Sequence, residues 1–141
     1  MYQTIILIGN LGKDPEMRYT PSGQPVTTLS VATNRRYHNT EGQPVKETTW
    51  FRVSVWGKQA EACNEFLHKG GKVLVEGRLT PDPETGSPRV WESNGKYGAT
   101  YEVTASTVRF LSGRDDQDEG EPAAENRGNA HPAQPEDDIA F

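Results

Sequence analysis

Two tryptophans, Trp50 and Trp56, bracket Arg52 in the run TTWFRVSVWGK at residues 48–58. With the two-residue period of a strand, Phe51, Val53 and Val55 share one face, and Trp50, Arg52, Ser54 and Trp56 share the other, with Lys58 following in step. A half-buried strand ordinarily shows water a polar second face; this one offers two indoles with a guanidinium between them. Rings alternating with cations suit flat bases carried on an anionic backbone, the rings stacking and the cations meeting phosphates. The competing reading is a strand buried on both sides, with Arg52 snorkelling to the rim.

No other grouping of reactive side chains has the spacing of a catalytic centre. His38, His68 and His131 are dispersed, and the chain lacks a P-loop, a metal-spaced His/Cys set and a nucleophile–base arrangement. The chain therefore reads as a binding protein rather than an enzyme, with no cofactor and no metal. The single cysteine, Cys63, excludes an intramolecular disulfide and a cysteine-rich zinc site. It sits among apolar residues in a helical pattern and reads as a small buried side chain.

The 141 residues allow one domain with a real core plus an additional segment, and the hydrophobic fraction of 33% is low for a chain that packs throughout. The charge is divided unevenly. Residues 1–112 hold 13 Lys and Arg against 11 Asp and Glu, a net +2, whereas residues 113–141 hold 2 against 9, a net −7. The overall −5 thus conceals a near-neutral body with an acidic tail, and says little about the binding face. The opening MYQTIILIGN is too short to span a bilayer and lacks a basic leader, so it reads as a first strand of a cytoplasmic protein.

The elements that must position the rings follow in order. A first strand over residues 2–10 ends in a loop at Gly12 and Pro15, and Arg18 and Tyr19 form a short extended piece before the Pro21-Ser22-Gly23 turn. Residues 26–34 alternate as a second strand, with Leu29 and Val31 on one face and Thr28, Ser30 and Ala32 on the other. Residues 35–47 are polar, with a turn signal at 39–42, and read as the tip of a hairpin leading into the third strand at 48–58. Residues 59–68 place Ala60, Cys63, Phe66 and Leu67 on one side of a helix that Gly70-Gly71 ends. A fourth strand spans 72–79, a long connection containing Trp91 spans 81–98, and a fifth strand spans 100–111. Beyond Ser112 no apolar period survives, which predicts a disordered acidic tail. Its last residues, Asp137, Asp138, Ile139, Ala140 and Phe141, end on apolar side chains directly after acids, in the manner of a short linear motif for a partner pocket.

Five strands with one short helix between the third and fourth is the order of the OB-fold, a small, partly open Greek-key barrel that binds oligonucleotides on strands two and three and adjoining loops. Those segments here hold Arg35, Tyr37, Trp50, Arg52, Trp56 and Trp91. The pieces ILIGNLGKDPEMRYTPSGQPV, LSVATNRR, TTWFRVSVWGKQAE, FLHKGGKVLVEGRL and DDIAF together resemble the bacterial single-stranded DNA-binding proteins, across residues 1–111 and again at the C-terminus. The resemblance implies sequence-independent binding and protection of single-stranded DNA in replication, recombination and repair, by a homotetramer associated with the nucleoid. It implies base stacking on Tyr37, Trp50, Trp56 and Trp91. Phosphates would be tracked by Arg35, Arg36, Arg52 and Lys58, with Lys13 and Lys72 alongside. Residues 112–136 become an acidic linker and residues 137–141 a tip that docks partner proteins, with Ala140 where the family's common ending has Pro. An OB-fold RNA chaperone or interaction module remains the rival reading that the fold equally permits.

Overall fold

The computed structural model of the chain describes residues 1–112. Most of the acidic linker (113–136) and the tip at 137–141 lie outside the described residues. Five strands close into a barrel: β1 (Ile5–Leu11), β3 (Pro25–His38), β4 (Pro44–Trp56), β5 (Lys72–Leu79) and β8 (Tyr101–Phe110). Their order around the sheet is β1-β5-β8-β4-β3, and β1 returns to β3 to complete the circuit. The pairing of β4 with β8 is parallel, while the other pairings are antiparallel. With one helix, α1 (Lys58–Phe66), between β4 and β5, this is the OB-fold expected from the order of elements. The short extended piece is β2 (Glu16–Tyr19), laid along the first half of β3.

Alternation of side chains builds the core. Leu7, Leu11, Leu29, Val31, Val53, Val55, Val73, Val75 and Val103 point inward from their strands and are all buried, as their two-residue spacing requires. Closing so small a circuit brings two backbones into contact. A Cβ on Gly9 of β1 would run into the carbonyl oxygen of Ala32 on β3, so glycine is the residue that lets β1 cross there. Beyond the crossing, β1 pairs with β3 at Asn10↔Ala32 and Leu11↔Val31.

The helix packs against β2, β3, β4 and β8, and buries Ala60 and Cys63. Leu67, the residue after its last turn, is also buried, and its amide donates to the Cys63 carbonyl at 3.1 Å. Phe66, expected on that side, is 62% exposed. At 100° per residue Ala60, Cys63 and Leu67 already form a narrow stripe, and Phe66 falls well off it. Burial also pushes the Cys63 thiol up to about 11, which keeps it protonated and unreactive at neutral pH.

Three boundaries differ from the sequence reading, for identifiable reasons. Strands β3 and β4 run further into the polar hairpin tip, pairing as far as His38↔Pro44. The turn between them lies where the sequence signalled it, with the Asn39 side-chain oxygen accepting from the amides of Glu41 at 3.0 Å and Gln43 at 2.8 Å. The helix begins at Lys58, because Gly57 at φ 71 breaks the extended chain directly after Trp56. Finally, the connection at 81–98 is not structureless: β6 (Val90–Ser93) and β7 (Lys96–Ala99) form a separate two-stranded sheet. Asn94 and Gly95, at φ 52 and 76, make its tight turn, and the Asn-Gly pair between VWES and KYGA was a readable hairpin signal.

Thr27 is the one fully buried polar side chain among the described residues, and its hydroxyl donates to the Ala60 carbonyl at 2.6 Å, tying β3 to α1. Thr27→Val keeps the shape and removes the donor. It should lower stability by about 1 kcal/mol, read from the urea midpoint; an unchanged midpoint would mean the bond contributes nothing net.

Candidate nucleic-acid interface

The register of the β3–β4 hairpin assembles the candidate face. Trp50 lies across from Ala32, Arg52 from Ser30, Ser54 from Thr28 and Trp56 from Val26. Directly paired residues share a face, so Trp50 and Arg52 stand beside the small Ala32 and Ser30, while Trp56 stands beside the buried Val26. Trp50 is 51% and Trp56 43% exposed, which rules out burial of β4 on both sides within this chain. At about 3.3 Å per residue, six positions separate the rings by about 20 Å, so they are two stations along a track rather than one clamp.

Trp50 rests on the chain that follows β1. A Cβ on Gly12 would collide with the Trp50 ring carbons Cζ3 and Cη2, so the edge of the indole's six-membered ring abuts the glycine. Trp91, 49% exposed, lies with its ring face over Gly98 in the β6–β7 hairpin, and its Nε1 donates to the Thr100 hydroxyl at 3.2 Å. Thr100 and Trp50 line the same cleft, so the structure groups Trp50 with Trp91 and leaves Trp56 apart.

Tyr37 sits elsewhere. Past the barrel the hairpin continues as a two-stranded arm, and alternation puts Arg36, paired with Lys46, on the Trp50 face. Arg35 and Tyr37, paired with Glu47 and Val45, occupy the opposite face, where the Arg35 guanidinium carbon is 4.8 Å from the Tyr37 ring centroid. The arm thus carries cations on both faces and an aromatic ring on one.

The other cations divide as follows. Arg52 lies between the indoles and is exposed. Lys58 does not continue the strand row; it is the exposed first residue of α1. Lys72 joins the Trp50 row across the crossing, through Asn10 and Ala32. Lys13 is paired with Glu16 at 3.4 Å, an exposed contact that offsets part of its charge at little energetic gain. The other salt bridge among the described residues joins Arg89 to Glu102 at 3.9 Å, so Arg35, Arg36, Arg52, Lys58 and Lys72 have no carboxylate partner there. Arg18 was missed by the sequence reading: β2 pairs it with Val26, in the Trp56 row, and only the β2–β3 register reveals this. Among the described residues no three His, Cys, Asp or Glu side chains are placed to hold a metal ion, and no helix is long and apolar enough to cross a membrane.

The role of Gly12 is testable with Trp56 and Trp91 replaced by Phe, so that Trp50 alone reports. Gly12→Ala should push the edge of the indole away from the backbone and raise its quenching by acrylamide, with little change in the thermal midpoint. Quenching equal to that of the Gly12 parent would show that the ring does not depend on this contact.

Comparison with known proteins agrees with this geometry. Residues 2–111 match the model of the single-strand binding protein family. A single-stranded DNA-binding protein of Neisseria meningitidis is 36% identical over 124 residues, covering 88% of this chain and 68% of that protein. One from Helicobacter pylori is 31% identical over 139 residues, covering 94% and 74%. Among solved structures, the complex of the Plasmodium falciparum protein with single-stranded DNA superposes with a TM-score of 0.64 at 26% identity, covering 79% of this chain and 96% of that one. A deletion mutant of the Thermus aquaticus single-stranded DNA-binding protein gives 0.62 at 34% identity; the match covers 79% of this chain but only 51% of that longer one. Barrel, exposed indole row and family match converge, and the chain belongs to the single-strand binding protein family.

Proposed function

We propose that this chain binds single-stranded DNA without sequence preference, protects it, and recruits partner proteins in replication, recombination and repair, without catalysing a reaction itself. The observation that carries the reading is the β4 face: two half-exposed indoles with, between them, a guanidinium that has no carboxylate partner among the described residues, on the strand and face where OB-folds hold oligonucleotides. Bases stack on Trp50, Trp56, Trp91 and Tyr37, and phosphates are met by Arg35, Arg36, Arg52, Lys58 and Lys72, with Lys13 contributing less because of Glu16. Because the stations lie on different rows and on both faces of the arm, the strand must turn as it passes from one to the next.

Copies of the chain associate, as a homotetramer, in this reading. Support comes from the outer face of β1, where Ile6 and Ile8 are 60% and 56% exposed on adjacent outward positions, an apolar strip of the kind a second copy covers. The acidic linker competes weakly with DNA for the cations, and the tip docks partners through Asp137, Asp138, Ile139, Ala140 and Phe141 in a basic-rimmed apolar pocket. The protein works in the cytoplasm, at the nucleoid.

The test is tryptophan-fluorescence titration with poly-dT at several salt concentrations, beside poly-rU and duplex DNA, with light scattering for mass. Affinity should be highest for poly-dT and fall steeply with salt; equal affinity for poly-rU would favour the RNA-chaperone reading. Stacking contributes about 1–3 kcal/mol per base across single-strand binders in general, a range established on this family among others rather than obtained from this structure, so Trp50→Ala or Trp56→Ala should each weaken binding by roughly one to two factors of ten. Unchanged affinity in both would remove the assignment. Deleting residues 137–141 should leave poly-dT binding in place and abolish capture of partner proteins; retained capture would count against the tip.

A further inference from the structure

A cleft of about 410 Å³ opens between β4 and the start of β8, lined by Thr48, Thr49, Trp50, Ala99, Thr100 and Tyr101. It exists because the parallel strands fork. Strand β8 joins β4 at Phe51↔Tyr101, and from Trp50 back to Pro44 β4 is paired with β3 alone among the described residues. The fork opens through the edge of the sheet, so one wall is the outer-face Trp50 and the other is Tyr101, which belongs to the inner-face series of Phe51 and Val103. A period of two separates these rings onto opposite faces, which is why reading the strands singly does not bring them together.

Both rings are braced. Trp50 abuts Gly12 with its ring edge, and Tyr101, 56% exposed, tilts against Phe51 with centroids 5.7 Å apart at 37°. Between them the lining is threonine hydroxyls and one alanine, with no charged side chain. That chemistry does not suit a phosphate, which needs cations, nor an aliphatic side chain, which would strand the hydroxyls. It suits a flat heterocycle with a polar rim. From this we infer that the cleft is a base subsite: one nucleobase of the bound strand leaves the stack, lies against the Tyr101 ring, and presents its polar edge to the Thr48 and Thr100 hydroxyls. The Thr48 hydroxyl, which donates to Asn34 Oδ1 at 2.8 Å, keeps a lone pair to accept, and the Thr100 hydroxyl, which accepts from Trp91 Nε1, keeps its proton to donate, so the subsite offers one acceptor and one donor and takes any base. The inference rests on the single-strand-binding reading and adds Tyr101, Thr48, Thr100 and Ala99 to it.

The experiment titrates the full-length chain with oligo-dT at two salt concentrations. Tyr101→Leu keeps apolar contact with Phe51 and removes the flat ring, Tyr101→Phe keeps the ring, and Ala99→Leu fills the cleft while leaving both rings in place. Tyr101→Leu and Ala99→Leu should each weaken binding by roughly five- to tenfold, with the salt slope of the parent chain, and Tyr101→Phe should recover most of the loss. Parent-like affinity in both Tyr101→Leu and Ala99→Leu, with Trp56→Ala still impaired, would overturn the subsite and leave the wider reading intact. A shallower salt slope would assign the loss to phosphate contacts and overturn it too. If the parent chain itself fails to bind oligo-dT, the wider reading fails and the subsite falls with it. Thermal melts of each variant establish that the barrel is folded, and Ala99→Leu, on the small separate sheet, keeps the proposal testable if Tyr101→Leu unfolds.

Discussion

The crossing of β1 over β3 is the constraint on which the rest of the structure depends. A five-stranded sheet closes only if its first strand comes back against its second, and here the two backbones approach until nothing larger than the hydrogen of Gly9 fits against the Ala32 carbonyl. Closure aligns the inward valines and leucines of all five strands on one core. It also carries the chain past Ala32 to Gly12, against the edge of the indole that stands across from Ala32. The contact that shuts the barrel and the contact that seats Trp50 are three residues apart on the same strand exit.

Core and face are consequently built from the same strands with little compromise between them. Val53 and Val55 fill the interior, while Arg52, Ser54 and Trp56 stand outside on the alternate positions. Ala32, across from Trp50 on β3, is too short to cover an indole, so exposure of that ring follows from the pairing rather than from a loop that could close over it. At one end of β4 the extended chain stops at Gly57, and at the other the strand leaves the barrel as an arm, so the face has a defined length.

Much of this was legible in the sequence because it rests on the period of two. The alternation in TTWFRVSVWGK, the small residues of β3, the Asn39 turn and the order of strands and helix could each be read from neighbours along the chain. What could not be read depends on register between distant strands. The sequence shows Arg18 beside Tyr19, but not that β2 lies along β3 in the Trp56 row. It shows Tyr37 two residues after Arg35, but the face they share becomes known only when Arg35 is paired with Glu47. Lys58 was misplaced by a single glycine, whose positive φ ends the strand row one residue too early for it. The hairpin holding Trp91 is a different case: its Asn-Gly turn was visible, and the prolines around it drew attention away.

Each of two exposed indoles packs against a glycine: Trp50 by its edge on Gly12 and Trp91 by its face on Gly98. A glycine codon is a single base change from alanine or valine, and such a change would leave every ring and every cation in the sequence. A descendant carrying it would still score as intact wherever relatedness is judged by aromatic and basic residues, although the ring would have lost its seat. For chains built this way, drift in the supporting glycines is the silent route to a degenerate copy, and a gene inventory that counts tryptophans would miss it.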